Sequence, residues 1–215
     1  MTPQEVIDQA REMYNAVGDN YFSDEMLFNL VYLAEKQLAM LSNCIEKTYT
    51  TPSVASQREY EYPTKAISIK RLEYAGQKLD PIDFQLEDTM TLNGGATDIS
   101  SDPKFYSVWK DTLYLFPTPA TSDDTITIYA FDRPDRVTTT SVLDVPVRYH
   151  MDLVIFLVAH MNMKDQNFAA YREFMSEWKE AVQRAIRYQK KRLRGDAFAG
   201  VKNEDDLDVT ILGAI

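Results

Sequence analysis

The stretch from Met151 to Met161, MDLVIFLVAHM, constrains the fold more than any other. Leu153, Val154, Ile155, Phe156, Leu157, Val158 and Ala159 follow one another without a polar break. Pro146 precedes the run and Asp165 to Asn167 follow it, which bounds a helix. A helix that is apolar on every side must be buried on every side. The run is too short to cross a bilayer, which takes about eighteen or more consecutive apolar residues. Other helices therefore have to surround it.

The chain supplies them. Thr2-Pro3-Gln4-Glu5 reads as a helix start: Thr2 caps, Pro3 suits the first turn and Glu5 completes a capping box. Val6, Ile7, Ala10, Met13 and Val17 recur at helical spacing until Gly18-Asp19-Asn20. A second start at Ser23-Asp24-Glu25 opens the stripe Leu27, Leu30, Val31, Ala34, Leu38, Leu41, Ile45. A last helix runs from Phe168 to Arg194 and ends at Gly195. Its aromatic stripe, Tyr171, Phe174, Trp178 and Tyr188, reads mostly as core.

Between the helix pairs the period changes from helical to two. Thr48 to Ser56 is rich in Thr and Ser and reads as loop. Gln57 to Tyr62 alternates and stops at Pro63, and Ile67 to Tyr74 continues as a strand that Gly76-Gln77 turns. Pro81 to Thr89 fits either a short helix or a loop, and Asn93 to Pro103 is rich in turn residues. Phe105 to Trp109 and Leu113 to Phe116 form a hairpin about Lys110-Asp111-Thr112. Pro117-Thr118-Pro119 then reads as a stiff hairpin corner leading into Asp124–Phe131, with Ile126, Ile128 and Ala130 on one face. The fold class is α+β. An N-terminal helical hairpin and two C-terminal helices form one bundle, residues 1–56 and 144–195. A central antiparallel β-meander, 57–143, is inserted between them, and 196–215 form an extended C-terminal arm.

Chemistry is sparse. One cysteine, Cys44, and two histidines build neither an internal disulfide nor a zinc site, and the cysteine usage points to a reducing cytosol. His150 and His160 would stand about 15 Å apart on a helix and cannot share an ion within one chain. Asp123-Asp124 lacks the spacing of a calcium loop. The start lacks the basic-then-apolar pattern of a signal peptide, so none is expected. No phosphate loop or nucleophile elbow is present, so no catalytic residue, metal ligand or cofactor is assigned and the chain is read as a non-enzyme. The net charge of −10 opposes tight binding of nucleic acid, and no membrane contact is expected.

Several stretches, in order, resemble the head-to-tail adaptor, or connector, proteins of tailed bacteriophages. They are Glu59-Tyr60-Glu61-Tyr62-Pro63 with Ile67 to Tyr74, then Leu113-Tyr114-Leu115-Phe116-Pro117-Thr118-Pro119. Ile126-Thr127-Ile128-Tyr129 with Asp132-Arg133-Pro134 follows, and Val145-Pro146-Val147 opens the apolar helix. The resemblance implies a structural virion protein assembled in the host bacterial cytoplasm. It further implies a ring, commonly dodecameric, between a portal protein and a tail or nozzle protein. Its channel would pass DNA without specific binding. A tail-proximal or baseplate ring component is the alternative, and a soluble enzyme with a dispersed active site a more distant one.

Two candidate contact regions follow. Arg184, Arg187, Lys190, Lys191, Arg192 and Arg194 place six of the 23 basic residues in eleven positions. Arg184, Arg187, Lys191 and Arg194 recur at three- and four-residue steps and form one ridge. Cations also suit a helix C-terminus for dipole reasons alone. As an interface, the ridge would dock on a portal or on a neighbouring subunit. Val209, Ile211 and Leu212, behind an acidic run, would add to the same interface as an arm that lends a strand or apolar plug. The corner Pro117, Thr118, Pro119 would face the tail.

Overall fold

The computed structural model describes residues 1–84, 102–139 and 141–194. Among them are α1 (Pro3–Tyr14), α2 (Asp24–Ser42), α3 (His150–Lys164) and α4 (Phe168–Arg194). Seven strands lie between: β1 (Glu46–Pro52), β2 (Glu59–Glu61), β3 (Ala66–Tyr74), β4 (Gln77–Pro81), β5 (Phe105–Trp109), β6 (Thr112–Phe116) and β7 (Thr125–Asp132). The fold is α+β. The Pro81–Thr89 stretch beyond Phe84, most of Asn93–Pro103, and the arm with Val209, Ile211 and Leu212 lie outside the described residues.

The helix starts follow the local chemistry. Thr2 Oγ1 accepts from the Glu5 amide at 3.2 Å, and the Thr2 amide donates to Glu5 Oε2 at 2.8 Å, which is the full capping box. Ser23 Oγ caps α2 through the Met26 amide at 3.4 Å, and Asn167 Oδ1 receives the Ala170 amide at 3.3 Å at the start of α4. Both helix stops come earlier than the apolar stripes imply. Asn15 (φ 60°) and Asn43 (φ 54°) take the left-handed conformation and end α1 and α2. Val17 and Met13 are consequently exposed, and Tyr14 takes the inward position, its ring meeting Phe22 edge-on at 5.2 Å.

α3 is enclosed, as its composition demands. It packs against α1, α2 and α4, and Leu153, Val154, Phe156, Leu157, Val158, Ala159 and Met161 are all buried. Val6, Ile7, Leu27, Val31, Leu38, Trp178 and Val182 complete this core. Each fully buried side chain of this size stabilises the fold by about 1.5–3 kcal/mol relative to exposure.

The sheet departs from a simple meander. Its strand order is β1-β7-β3-β4-β5-β6-β2. All pairs are antiparallel except β4–β5, where Asp80 meets Phe105 and Pro81 meets Tyr106 in parallel. Parallel neighbours need a crossover of a dozen or more residues, and the chain between Pro81 and Phe105 provides it. Two expectations fail here. Thr48 to Ser56 is not all loop, because Glu46–Pro52 forms strand β1 along β7. Thr is among the residues that suit a pleated, half-buried surface. Pro117–Pro119 is not a hairpin corner, because β6 and β7 are not neighbours in the sheet. It is a crossover with a cis Phe116–Pro117 bond and a buried Pro119.

β1 and β2 are consecutive in sequence yet occupy opposite edges of the sheet. Flat, those edges would stand roughly 29 Å apart at about 4.8 Å per strand. The link from Pro52 to Glu59 spans at most about 25 Å. The sheet must curl, and its two halves then share one core: Leu72, Tyr74, Ile126 and Ile128 from one, Tyr60, Tyr106, Leu113 and Leu115 from the other.

Candidate functional site

The helical end begins with α4. Its inward face, Trp178, Ala181, Val182, Ala185 and Gln189, is buried, with Trp178 against Phe156 at 5.0 Å. Tyr188 leaves this stripe: it is exposed, and the Arg148 guanidinium lies 4.2 Å above its ring. The outward face carries the basic residues, which divide into two groups. Arg184 is tied to Asp152 at 3.3 Å, and Arg192 turns aside to Glu46 on β1 at 3.1 Å. Arg187, Lys190 and Lys191 are exposed, and none has an ion-pair partner among the described residues. The backbone of Arg194 closes the helix. The free part of the ridge is therefore narrower than the six residues the spacing marks.

The opposite end is set by strand direction. β1 leaves the helical core at Ile45, and β7 returns to it at Asp132, whose amide donates to the Ile45 carbonyl at 3.0 Å. The loops at the Pro52 and Thr125 ends of these strands thus lie about 23 Å from the helices, the length of seven residues of strand. Pro117-Thr118-Pro119 belongs to this distal end. The Ser56 amide donates to the Pro119 carbonyl at 2.9 Å, and the Ala55 amide to Ser122 Oγ at 2.9 Å. The Thr121 hydroxyl donates to Asp124 Oδ2, and so does the Tyr74 hydroxyl at 2.8 Å; these two donors, Thr121 first, hold the Asp124 carboxyl below its usual range. Pro119 braces this end from inside. The solvent-facing residues are Val54 to Gln57 and Ala120 to Asp123.

Two features carry no obvious mark in the sequence. Phe84 stacks on Trp109 at 5.1 Å and meets Tyr114 at 5.4 Å, while Trp109 stays 60 % exposed beside the Lys110-Asp111 turn. Only the tertiary approach of Phe84 makes this patch. Glu35 is the other: it is 1 % exposed, and its Oε1 accepts from the Asp144 amide at 2.9 Å and the Val145 amide at 3.3 Å. Burial pushes its carboxyl up to about 7. A lone Glu within the Val31–Leu38 stripe was its only signal.

The histidines serve the helical core. His150 Nε2 pairs with the Val145 carbonyl at 3.0 Å and His160 Nδ1 with the Phe156 carbonyl at 2.9 Å. Burial lowers both pKa values. Among the described residues no group of three or more His, Cys, Asp or Glu is placed to hold a metal ion. Two open clefts lie near α2 among the described residues, one of about 450 Å³ along Met26, Asn29, Leu30 and Leu33 and one of about 740 Å³ between α1 and the α1–α2 loop. No helix of the described residues is long and apolar enough to cross a membrane.

A four-helix body with a basic outer ridge is joined to a curled sheet that ends in polar loops. No curated protein matches the chain in sequence. The family model described as SU10 adaptor protein matches residues 1–203, which take in every helix and strand described above. The chain therefore belongs to the SU10 adaptor protein family, the structural proteins of phage head-to-tail connection.

Proposed function

We propose that this chain forms a ring, dodecameric in the reading the resemblance implies, seated between the portal and the tail or nozzle, with a central channel for DNA. The observation that carries the proposal is the family match over residues 1–203, because it spans both the helical and the sheet portions rather than one motif. In this reading the helical body, residues 1–56 and 144–195 less strand β1, faces the portal through Arg187, Lys190 and Lys191. The distal loops of the sheet, braced by Pro117, Thr118 and Pro119, face the tail. The arm with Val209, Ile211 and Leu212 engages the portal or a neighbouring subunit. Assembly takes place in the host cytoplasm before the particle is complete.

The action is steric and electrostatic and makes or breaks no covalent bond. A net charge of −10 suits a channel wall, since like charges keep DNA from adhering. The test is to mix the purified chain with its cognate portal and image the product by electron microscopy. A symmetric ring stacked on the portal is expected. A chain that stays monomeric with the portal present, or that is found on the particle away from the junction below the portal vertex, overturns the reading.

A further inference from the structure

β1 is an edge strand, and among the described residues its outer side pairs with no other strand. Its register with β7 runs from Glu46 opposite Phe131 to Pro52 opposite Thr125, and just before it the Asp132 amide donates to the Ile45 carbonyl at 3.0 Å. At the other end the Ser53 amide donates to the Asp124 carbonyl at 2.7 Å. Antiparallel ladders alternate, so odd-numbered residues of β1 bond to β7 and even-numbered ones point away. Glu46, Thr48 and Thr50 therefore aim their N–H and C=O groups outward, and all three residues are exposed. The far edge of the curled sheet, β2, is three residues long and pairs with β6, not with β1. An open edge of this kind is a template for one more strand.

The chain places a strand-forming segment within reach. Arg192 is tied to Glu46 at 3.1 Å, so α4 delivers the C-terminal segment to the first residue of this edge. Fourteen residues, 195–208, separate α4 from Val209-Thr210-Ile211-Leu212. Their reach is at most roughly 50 Å. β1 is about 23 Å long, so the segment can lie along it in either direction. Val, Thr and Ile suit a strand, and their alternation puts Val209 and Ile211 on one face. On the inner side of β1 Tyr49 is half-buried at the rim of the sheet core, an apolar neighbour for those two side chains.

We propose that Val209–Leu212 of the same chain adds to the open edge of β1 as an eighth strand in the unassembled protein. A tethered segment competes at an effective concentration in the millimolar range, which no second copy matches at ordinary protein concentration. The pairing blunts an edge that would otherwise join other sheets. It also stores the arm on its own subunit, from which a stronger partner can draw it during assembly. It requires neither ring nor portal, so its test is separate from that of the adaptor reading.

Amide hydrogen exchange on the full chain, with and without residues 209–215, reads the pairing directly. The amides of Thr48 and Thr50 are expected to be protected in the full chain. Truncation should accelerate them at least tenfold, while the Thr51 amide, bonded to β7, changes little. Protection should be unchanged on hundredfold dilution. Equal exchange in the two proteins overturns the proposal. Protection that disappears on dilution also overturns it, because the strand then comes from a second copy. As an independent readout, a Thr50→Cys, Thr210→Cys protein in a Cys44→Ala background, the two positions sharing the outer face, should oxidise to an internally bridged monomer at least tenfold faster than a Lys78→Cys, Thr210→Cys control. Equal rates, or bridged dimers only, count against the pairing.

Discussion

Arg192 Nη2 lies 3.1 Å from Glu46 Oε2, which ties the last turns of the longest helix to the first residue of the first strand. The side chains are 50 % and 38 % exposed. Solvent screens such a pair, and exposed ion pairs contribute about 0–1 kcal/mol. A double-mutant cycle of Arg192→Ala and Glu46→Ala in urea denaturation should give a coupling below ~1 kcal/mol that shrinks further in 1 M salt. A larger, salt-insensitive coupling would mean that the junction excludes water.

Glu35 should make stability fall as pH rises. Its folded pKa is raised from 4.5 to about 7 by burial, so the folded state holds a proton that the unfolded chain releases. Folding is therefore favoured below about 4.5, and that contribution is lost progressively as pH climbs to about 7, by an amount on the order of 3 kcal/mol. Glu35→Gln keeps an acceptor for the Asp144 and Val145 amides and removes the titration. Thermal midpoints measured from pH 5 to 8 should decline less in this variant than in the parent. Parallel curves would show that Glu35 does not carry the dependence.

Tyr49 donates its hydroxyl to Asp132 Oδ2, and Asp132 is 2 % exposed, with no hydrogen-bond partner for its Oδ1 among the described residues. Tyr49→Phe leaves that buried carboxyl without its donor. The expected cost is about 1–3 kcal/mol by chemical denaturation. A loss under ~0.5 kcal/mol would mean that the hydroxyl contributes nothing net.

Reversing Arg187, Lys190 and Lys191 to Glu should leave the thermal midpoint nearly unchanged, since all three are exposed and unpaired among the described residues. Surface substitutions of this kind usually change stability by less than about 0.5 kcal/mol. Affinity for the portal should fall at least tenfold, measured by co-sedimentation at low salt. Undiminished binding removes the ridge from the interface.

Core replacement supplies the contrast. Leu157→Ala lies at the centre of the helical core, fully buried. It should cost about 2–5 kcal/mol. A value under ~1 kcal/mol would require α3 to be packed more loosely than its enclosure implies.

Local chemistry was legible wherever neighbours in sequence act on each other. The capping box at Thr2 and Glu5, the cap at Ser23 and the β5–β6 hairpin about Lys110-Asp111 all involve groups a few residues apart. Enclosure of α3 was legible as well, because an unbroken apolar run leaves the chain no alternative. The helix stops at Asn15 and Asn43 were missed because Asn there adopts a backbone conformation usually signalled by Gly.

Strand partners could not be read in this way. Pro117-Thr118-Pro119 has the composition of a hairpin corner, and nothing local reveals that β6 pairs with β2 while β7 lies between β1 and β3. The same holds for the Phe84–Trp109 stack and for the division of the basic ridge, in which Asp152 and Glu46 claim two of the arginines. The order of residues alone determined which segments are helix or strand and which side chains must leave water, because periodicity and capping act over a few bonds. Only the tertiary structure decided which strands meet and, among the described residues, which edge stays open and which charges remain unpaired. Those outcomes depend on distances between residues far apart in the chain, which the curling of the sheet sets.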